Sequence, residues 1–319
     1  MPEEAFVHWL LDAGTPSIRY RTRRDLLGRP ADDPALLRDR EAIMTDGVVP
    51  AIYANQTDSG QWAGEQSYYT PKYVSTHWSM MLLEELAANE TDPRFKRGVE
   101  YMLNETAAEM RRQLVQDGHG FSCFWGNMLR YAAYAGYGDD ERTQAVARYA
   151  VHDIQEGHCL CQHNAGHPCA WGVVRTLWGL AALPSGQQPG EMADTIHEAL
   201  TFLLDSFSLT AADYPTPDNG KIHPLWFKLN FPLFYQTDIL FTLRLLGEVN
   251  ALDHPRAQAA LDWLEVLRGE NGHWRGSSPF RRRTWKGLGS QEETNRWVSL
   301  QAAIVLKQAG RLDVPEIAA

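Results

Sequence analysis

The sequence predicts an all-α chain of repeated α-hairpins, closed into a single (α/α)6 toroid of inner and outer helices. Three observations predict it. Apolar residues recur every three to four positions, as in WSMMLLEEL (78–86), WGVVRTLWGLAAL (171–183) and DILFTLRLL (238–246), with no sustained period-two alternation. Helix-start signals are frequent, and tryptophans open apolar runs at near-constant intervals. The chain has 319 residues, 44% of them hydrophobic and 22% charged, which is globular composition over a length that buries a large core. A disordered or fibrous protein is excluded.

In chain order, residues 3–12 read as an N-terminal helix within a 1–16 segment packed on the ring. Residues 17–28 supply one inner helix, and 35–54 an outer run. The next inner helices start at Thr76, Cys123, Cys169 and Asp238, with a last one near Trp297. Outer runs lie near 94–104, 141–155, 190–207 and 256–268. Asp92-Pro93-Arg94, Asp140-Glu141-Arg142 and Asp253-His254-Pro255-Arg256 each place an acid ahead of an outer run, where it would cap the helix. One domain over 1–319 is expected.

The repeat justifies the pairing of these runs. Thr76-His77-Trp78-Ser79 aligns with Cys123-Phe124-Trp125-Gly126 and Cys169-Ala170-Trp171-Gly172, the tryptophans falling 47 and 46 residues apart. Asp238 precedes Arg256 by the 18 residues that separate Thr76 from Arg94, so it occupies the same slot. Gly-rich turns close the hairpins: Gln56 to Trp62, Gln116-Asp117-Gly118-His119, Gln155-Glu156-Gly157-His158 and Glu270 to Trp274. An open solenoid stacks near-identical units. These vary in length and share only sparse positions, which a closed ring tolerates.

Asn55-Gln56-Thr57-Asp58-Ser59-Gly60-Gln61-Trp62 and Glu270-Asn271-Gly272-His273-Trp274 resemble the QW repeats of squalene–hopene and related terpene cyclases. The hairpin array is similar to the toroid that those cyclases share with protein prenyltransferases, over roughly residues 17–310. The resemblance implies the fold, a central cavity for an apolar, isoprenoid-derived substrate, and, from the prenyltransferases, a zinc ion held by Asp, Cys and His at inner-helix rims. The class II D-x-D-D motif and the class I D-D-x-x-D motif are both absent, and the chain has room for one such domain where triterpene cyclases use two. Squalene cyclisation is therefore not expected. It would need Asp213, Asp218 or Asp238 to serve as a strong acid.

Charge and length narrow the partners. Lys and Arg total 30 against 40 Asp and Glu, a net charge of −10 that argues against nucleic acid. No stretch approaches the roughly 18 apolar residues of a membrane span, and the opening MPEEAFVHWLLDAG lacks the basic, then apolar, pattern of a signal peptide. A soluble, cytoplasmic protein is expected. Walker, dinucleotide-binding, H-E-x-x-H and G-x-S-x-G motifs are absent, so nucleotide-dependent and serine-hydrolase mechanisms have no support.

The strongest constellation runs from Gly157 to Cys169 and holds Cys159, Cys161, Cys169, His158, His163 and His167. Thiolate and imidazole are the ligands zinc prefers. Equivalence of Cys123 and Cys169 on consecutive hairpins would bring all four cysteines to one rim. Zinc on Cys123, Cys161 and Cys169, with Cys159, His163 or His167 as fourth ligand, is one reading. Reduced core thiols and an iron–sulfur centre or redox pair are the others.

The inner-helix starts add Tyr73, Trp78, Trp125, Trp171 and Tyr235 as walls of a small-molecule cavity, with Asp238, Asn127 and His77 as catalytic candidates. Aromatic rings there would stabilise a cation by about 2 kcal/mol when desolvated, while inter-helix packing explains the same tryptophans. Arg281-Arg282-Arg283-Thr284-Trp285-Lys286 reads as a diphosphate holder or a solvated charge run, and Tyr68 to Tyr73 as a cover over the cavity mouth. Two functions follow. One is a zinc-dependent lyase, cyclase or transferase acting on a small apolar molecule. The other is a non-catalytic helical-repeat binding protein with a structural cysteine-rich metal site.

Overall fold

A computed structural model of the chain describes residues 2–63, 67–116, 119–205, 208–210 and 223–315. Among these residues the regular structure is helical, apart from isolated bridges between Cys161 and His167 and between Asn230 and Ser277. The helices are α1 (Pro2–Leu11), α2 (Pro16–Arg21), α3 (Pro34–Thr45), α4 (Val48–Tyr53), α5 (Thr76–Glu85), α6 (Pro93–Val115), α7 (Ser122–Tyr134), α8 (Glu141–Gln155), α9 (Ala170–Ala181), α10 (Met192–Leu200), α11 (Ile239–Glu248), α12 (Gln258–Val266) and α13 (Gln291–Gln308). A π-helical turn extends α2 over Thr22–Leu26, and another extends α10 over Thr201–Asp205. No described helix is long and apolar enough to cross a membrane.

Two kinds of helix are present. In α5 every residue from Thr76 to Glu84 is buried, and α9 is nearly as enclosed. All-round burial makes these interior helices. By contrast α6 buries one stripe (Phe95, Val99, Met102 and Leu103) and exposes the other face, and α8 buries Val146, Tyr149, Ala150 and Ile154 while leaving Glu141 and Arg148 exposed. The interior helices touch in sequence: α5 packs on α7, α7 on α9, α9 on α11, α11 on α13, and α13 on α2. Arg21 at the end of α2 donates to the Glu85 carbonyl oxygen at the end of α5, at 3.1 Å. Helices α6, α8 and α12 lie against α5, α7 and α11 respectively, and α3 against α2.

The acid-x-Arg starts work as expected twice. Asp92 accepts from the Arg94 N–H at 2.8 Å and Asp140 from the Arg142 N–H at 2.9 Å, and each guanidinium folds back onto the same carboxylate. The third start differs. His254, not Asp253, is the cap, its Nδ1 accepting from the Arg256 N–H at 3.2 Å. An unprotonated imidazole nitrogen there does the carboxylate's job.

The turns at Trp62 and Trp274 are equivalent in detail. The Trp62 indole donates to the Ile52 carbonyl and the Trp274 indole to the Leu264 carbonyl, each at 2.8 Å and ten residues back. Each tryptophan's backbone N–H donates to a hydroxyl on an interior helix, Thr76 for Trp62 and Ser299 for Trp274. Of the Gln116 to His119 turn, Asp117 and Gly118 lie outside the described residues.

Candidate functional site

Helices α7 and α9 approach until their backbones touch, through Gly126 and Gly179. Their N-terminal ends, with the loop between α8 and α9, form one wall of a cavity of about 510 Å³, a volume suited to a small organic ligand. That wall carries Phe121, Ser122, Cys123 and Phe124 from the start of α7. The loop adds Cys161, Gln162, His163 and Asn164, and the start of α9 adds Cys169, Trp171 and Gly172. The facing side comes from His77 and Trp78 on α5, from Tyr69 and Lys72 ahead of it, and from His223 and Tyr235. The Lys72 ammonium lies 5.6 Å from the Tyr69 ring centre and 5.3 Å from that of Tyr235.

The cysteine loop is tightly held. Its turn is made by non-glycine residues in the left-handed region, His158 (φ 49°) and Cys159 (φ 59°), followed by Ala165 and Gly166. Cys161 N–H donates to the His167 carbonyl at 3.1 Å, and Cys169 N–H to the His158 carbonyl at 3.0 Å. Asn164 Nδ2 donates to the Pro168 carbonyl at 2.9 Å, and the His158 ring bonds Glu198 at 2.6 Å. Left-handed non-glycine residues cost energy and persist where surrounding contacts enforce them.

The four thiols have unlike surroundings. A hydrogen bond from the Cys169 thiol, together with the His163 and Asn164 amides, pulls Cys161 down to about 6 against its partial burial. The same bond, with burial, pushes Cys169 well up. Burial raises Cys123 to about 11. Cys159 stands apart. The two left-handed residues turn it away from the cavity, where its sulfur meets the Thr176 hydroxyl at 3.7 Å and its Cβ packs on Gly172. Burial and the nearby Asp153 hold its thiol well above the ordinary range. Cys123, Cys161, Cys169 and His163 are thus brought together on one wall, whereas Cys159 and His167 are not among its lining residues. Among the described residues, no three His, Cys, Asp or Glu stand as a group that would hold a metal ion.

The other candidates divide in the same way. Trp78, Trp171, Tyr235 and His77 line the cavity. Tyr73 packs behind it, 5.0 Å from Phe234 and 4.8 Å from Phe280, and Trp125 packs edge-on against Phe124 and faces Tyr149 of α8. Asp238 is buried as the cap of α11: Oδ1 accepts from the Phe241 N–H at 2.7 Å, and Oδ2 from the Asn230 backbone and side chain at 3.0 and 2.8 Å. It borders a separate small polar pocket with Glu85, Arg244 and Gln301. Asp213 and Asp218 lie outside the described residues. Asn127 is buried beneath the cavity, within 3.5 Å of Arg175. The Arg281 to Lys286 run packs onto the fold, with Thr284 bonding the Tyr73 carbonyl and Trp285 the Ser79 hydroxyl.

Sequence reasoning passed over Arg175, a fully buried arginine whose signal was a lone charge in WGVVRTLWGL, and Phe121, Phe124 and His223 of the cavity wall. Burial and Arg175 hold His77 down at about 3, so its imidazole is neutral, with Nδ1 3.3 Å from the Tyr131 hydroxyl.

Among the described residues, these features define an all-helical protein with an aromatic, thiol-bearing cavity. No family model, curated protein or solved structure matches the chain.

Proposed function

We propose that the chain is a single α/α toroid of the terpenoid cyclase and prenyltransferase kind, and that it is a cytoplasmic enzyme acting on a small, largely apolar molecule. The observation that carries this reading is the juxtaposition of Cys123, Cys161 and Cys169, from two helices and their connecting loop, on the wall of an aromatic cavity. The sequential contacts of α5, α7, α9, α11, α13 and α2 support the ring. In this reading the Cys161 thiolate adds to an electrophilic, doubly bonded carbon of the ligand, and the π bond at that carbon breaks, its electron pair passing to the conjugated atom. The Cys169 thiol, which already donates a hydrogen bond toward Cys161, gives its proton to the atom that receives the pair.

A second reading is favoured by donor chemistry: three thiols and His163 on one wall are soft ligands suited to zinc. Bound there, the ion would polarise an oxygen of the ligand. As placed, these side chains form no metal group, so binding would have to draw them together. A protein that holds its ligand without turning it over would use the same cavity.

Incubation with citral, an apolar unsaturated aldehyde, followed by intact-mass and peptide analysis, tests the thiol reading. One adduct, on Cys161 and absent from Cys161→Ser, is expected. Stoichiometric zinc by elemental analysis with no adduct favours the metal reading, and neither result removes both.

A further inference from the structure

Beneath the cavity lies a polar layer that the thiol chemistry leaves unused. One helical turn beyond Cys123 on α7 is Asn127, one turn beyond Trp171 on α9 is Arg175, and Tyr235 is followed by Gln236 and Thr237. All four are buried. The Arg175 guanidinium donates to the Gln236 carbonyl oxygen and lies 3.8 Å from the centre of the Phe241 ring. Among the described residues no carboxylate hydrogen-bonds it, and the negative charges of Glu85 and Asp238 act on it only through space.

Five side-chain atoms of this layer and of the cavity floor have no hydrogen-bond partner: Arg175 Nε, Asn127 Nδ2, Gln236 Oε1, Thr237 Oγ1 and His77 Nε2. Buried polar atoms are ordinarily paired, and a buried cation ordinarily has a counter-charge. Here two N–H donors, one of them on a guanidinium that no carboxylate contacts, sit under an apolar, aromatic chamber. His77 lines that chamber, carries one of the unpaired atoms and feels the Arg175 charge, so it adjoins both layers.

We propose that this layer is the head-group pocket of the cavity and takes a carboxylate, its oxygens accepting from Arg175 Nε and Asn127 Nδ2 while the apolar body of the ligand lies among Trp78, Trp171 and Tyr235. The proposal rests on the reading of the cavity as a ligand site and narrows its ligand to an apolar monocarboxylic acid. A single negative charge suits a guanidinium that no carboxylate contacts, and two oxygens match the two free donors.

The test compares two probes with the same body, geranic acid and geraniol, by titrating tryptophan fluorescence of the full chain. The acid is expected to bind about tenfold or more tighter than the alcohol, since a charge-assisted hydrogen bond is lost with the head group. Arg175→Met should abolish that preference, bringing the acid to the affinity of the alcohol. Asn127→Leu, which keeps the guanidinium, should reduce the preference and serves if Arg175→Met fails to fold, as judged by circular dichroism. Equal affinity of acid and alcohol for the wild-type chain overturns the head-group pocket while leaving the cavity as a binding site. Binding of neither probe overturns the cavity reading and this inference with it.

Discussion

A Cβ on Gly126 would stand 2.4 Å from the Arg175 carbonyl oxygen, and one on Gly179 would stand 2.2 Å from the Gly126 carbonyl oxygen. Neither glycine has a left-handed backbone, so close approach alone explains them. The contact sets α7 and α9 side by side and thereby places Cys123 and Cys169 on one wall. Gly126→Ala should destabilise the fold by about 1–3 kcal/mol through overpacking against backbone. Gly186→Ala, with nothing within 4 Å of the new methyl, should stay within about 0.5 kcal/mol. Urea denaturation of the two variants checks the contrast.

Asp238 is placed to hold structure, and its titration has a defined sign. Burial raises its carboxyl to about 6, against the bonds from Phe241 and Asn230 that favour its charge. Between its ordinary 3.8 and about 6, the native chain holds a proton that the unfolded chain has lost. Its contribution to stability is therefore greatest below the ordinary value and is lost as pH rises through about 6. Asp238→Ala should cost about 1–2 kcal/mol at neutral pH, as a lost cap, and should remove this slope from an unfolding series across that window. Unchanged stability with weakened ligand binding would return Asp238 to the site.

What was legible in the sequence was local. Helix period, the Asp92 and Asp140 caps and the tryptophan turns depend on residues a few positions apart, and each appears where its spacing placed it. The site depended on backbone direction and distant partners. Cys159 shares a C-x-C with Cys161, yet left-handed conformations at His158 and Cys159 turn it to the opposite side, while the adjacent Gly157, where such a conformation would be expected, is not left-handed. Asp238 drew notice as a polar residue in an apolar run. Its partner Asn230 lies eight residues upstream in an irregular segment, where no spacing rule applies. Arg175 was hidden because the carbonyl that receives it, on Gln236, is 61 residues away.

The matched turns at Trp62 and Trp274 predict matched losses. Thr76→Val keeps nearly the same volume but removes the hydroxyl that accepts the Trp62 N–H, and Ser299→Ala does the same for Trp274. Each leaves a buried backbone donor unpaired, costing about 1–3 kcal/mol. Thermal unfolding should show similar decreases for both. A loss at only one would mean that the two turns, alike in hydrogen bonding, do not carry equal weight in the fold.

Cys161 should be the one fast-reacting thiol of the native chain. The thiolate is the species that iodoacetamide attacks. With Cys161 held at about 6, Cys123 at about 11, and Cys159 and Cys169 well above the ordinary range, only Cys161 is largely ionised at neutral pH. Its alkylation rate should rise through about pH 6 and flatten near neutrality, and Cys161→Ser should abolish the fast phase. Cys169→Ala removes the thiol that donates to Cys161, so the midpoint should climb toward the ordinary 9.0. Zinc in excess should slow the fast phase, and a chelator restore it, if the three thiols share a metal; no response to either leaves the thiolate acting alone. Four thiols reacting at one rate that climbs only in alkaline solution would show that the Cys161 to Cys169 hydrogen bond does not tune the site.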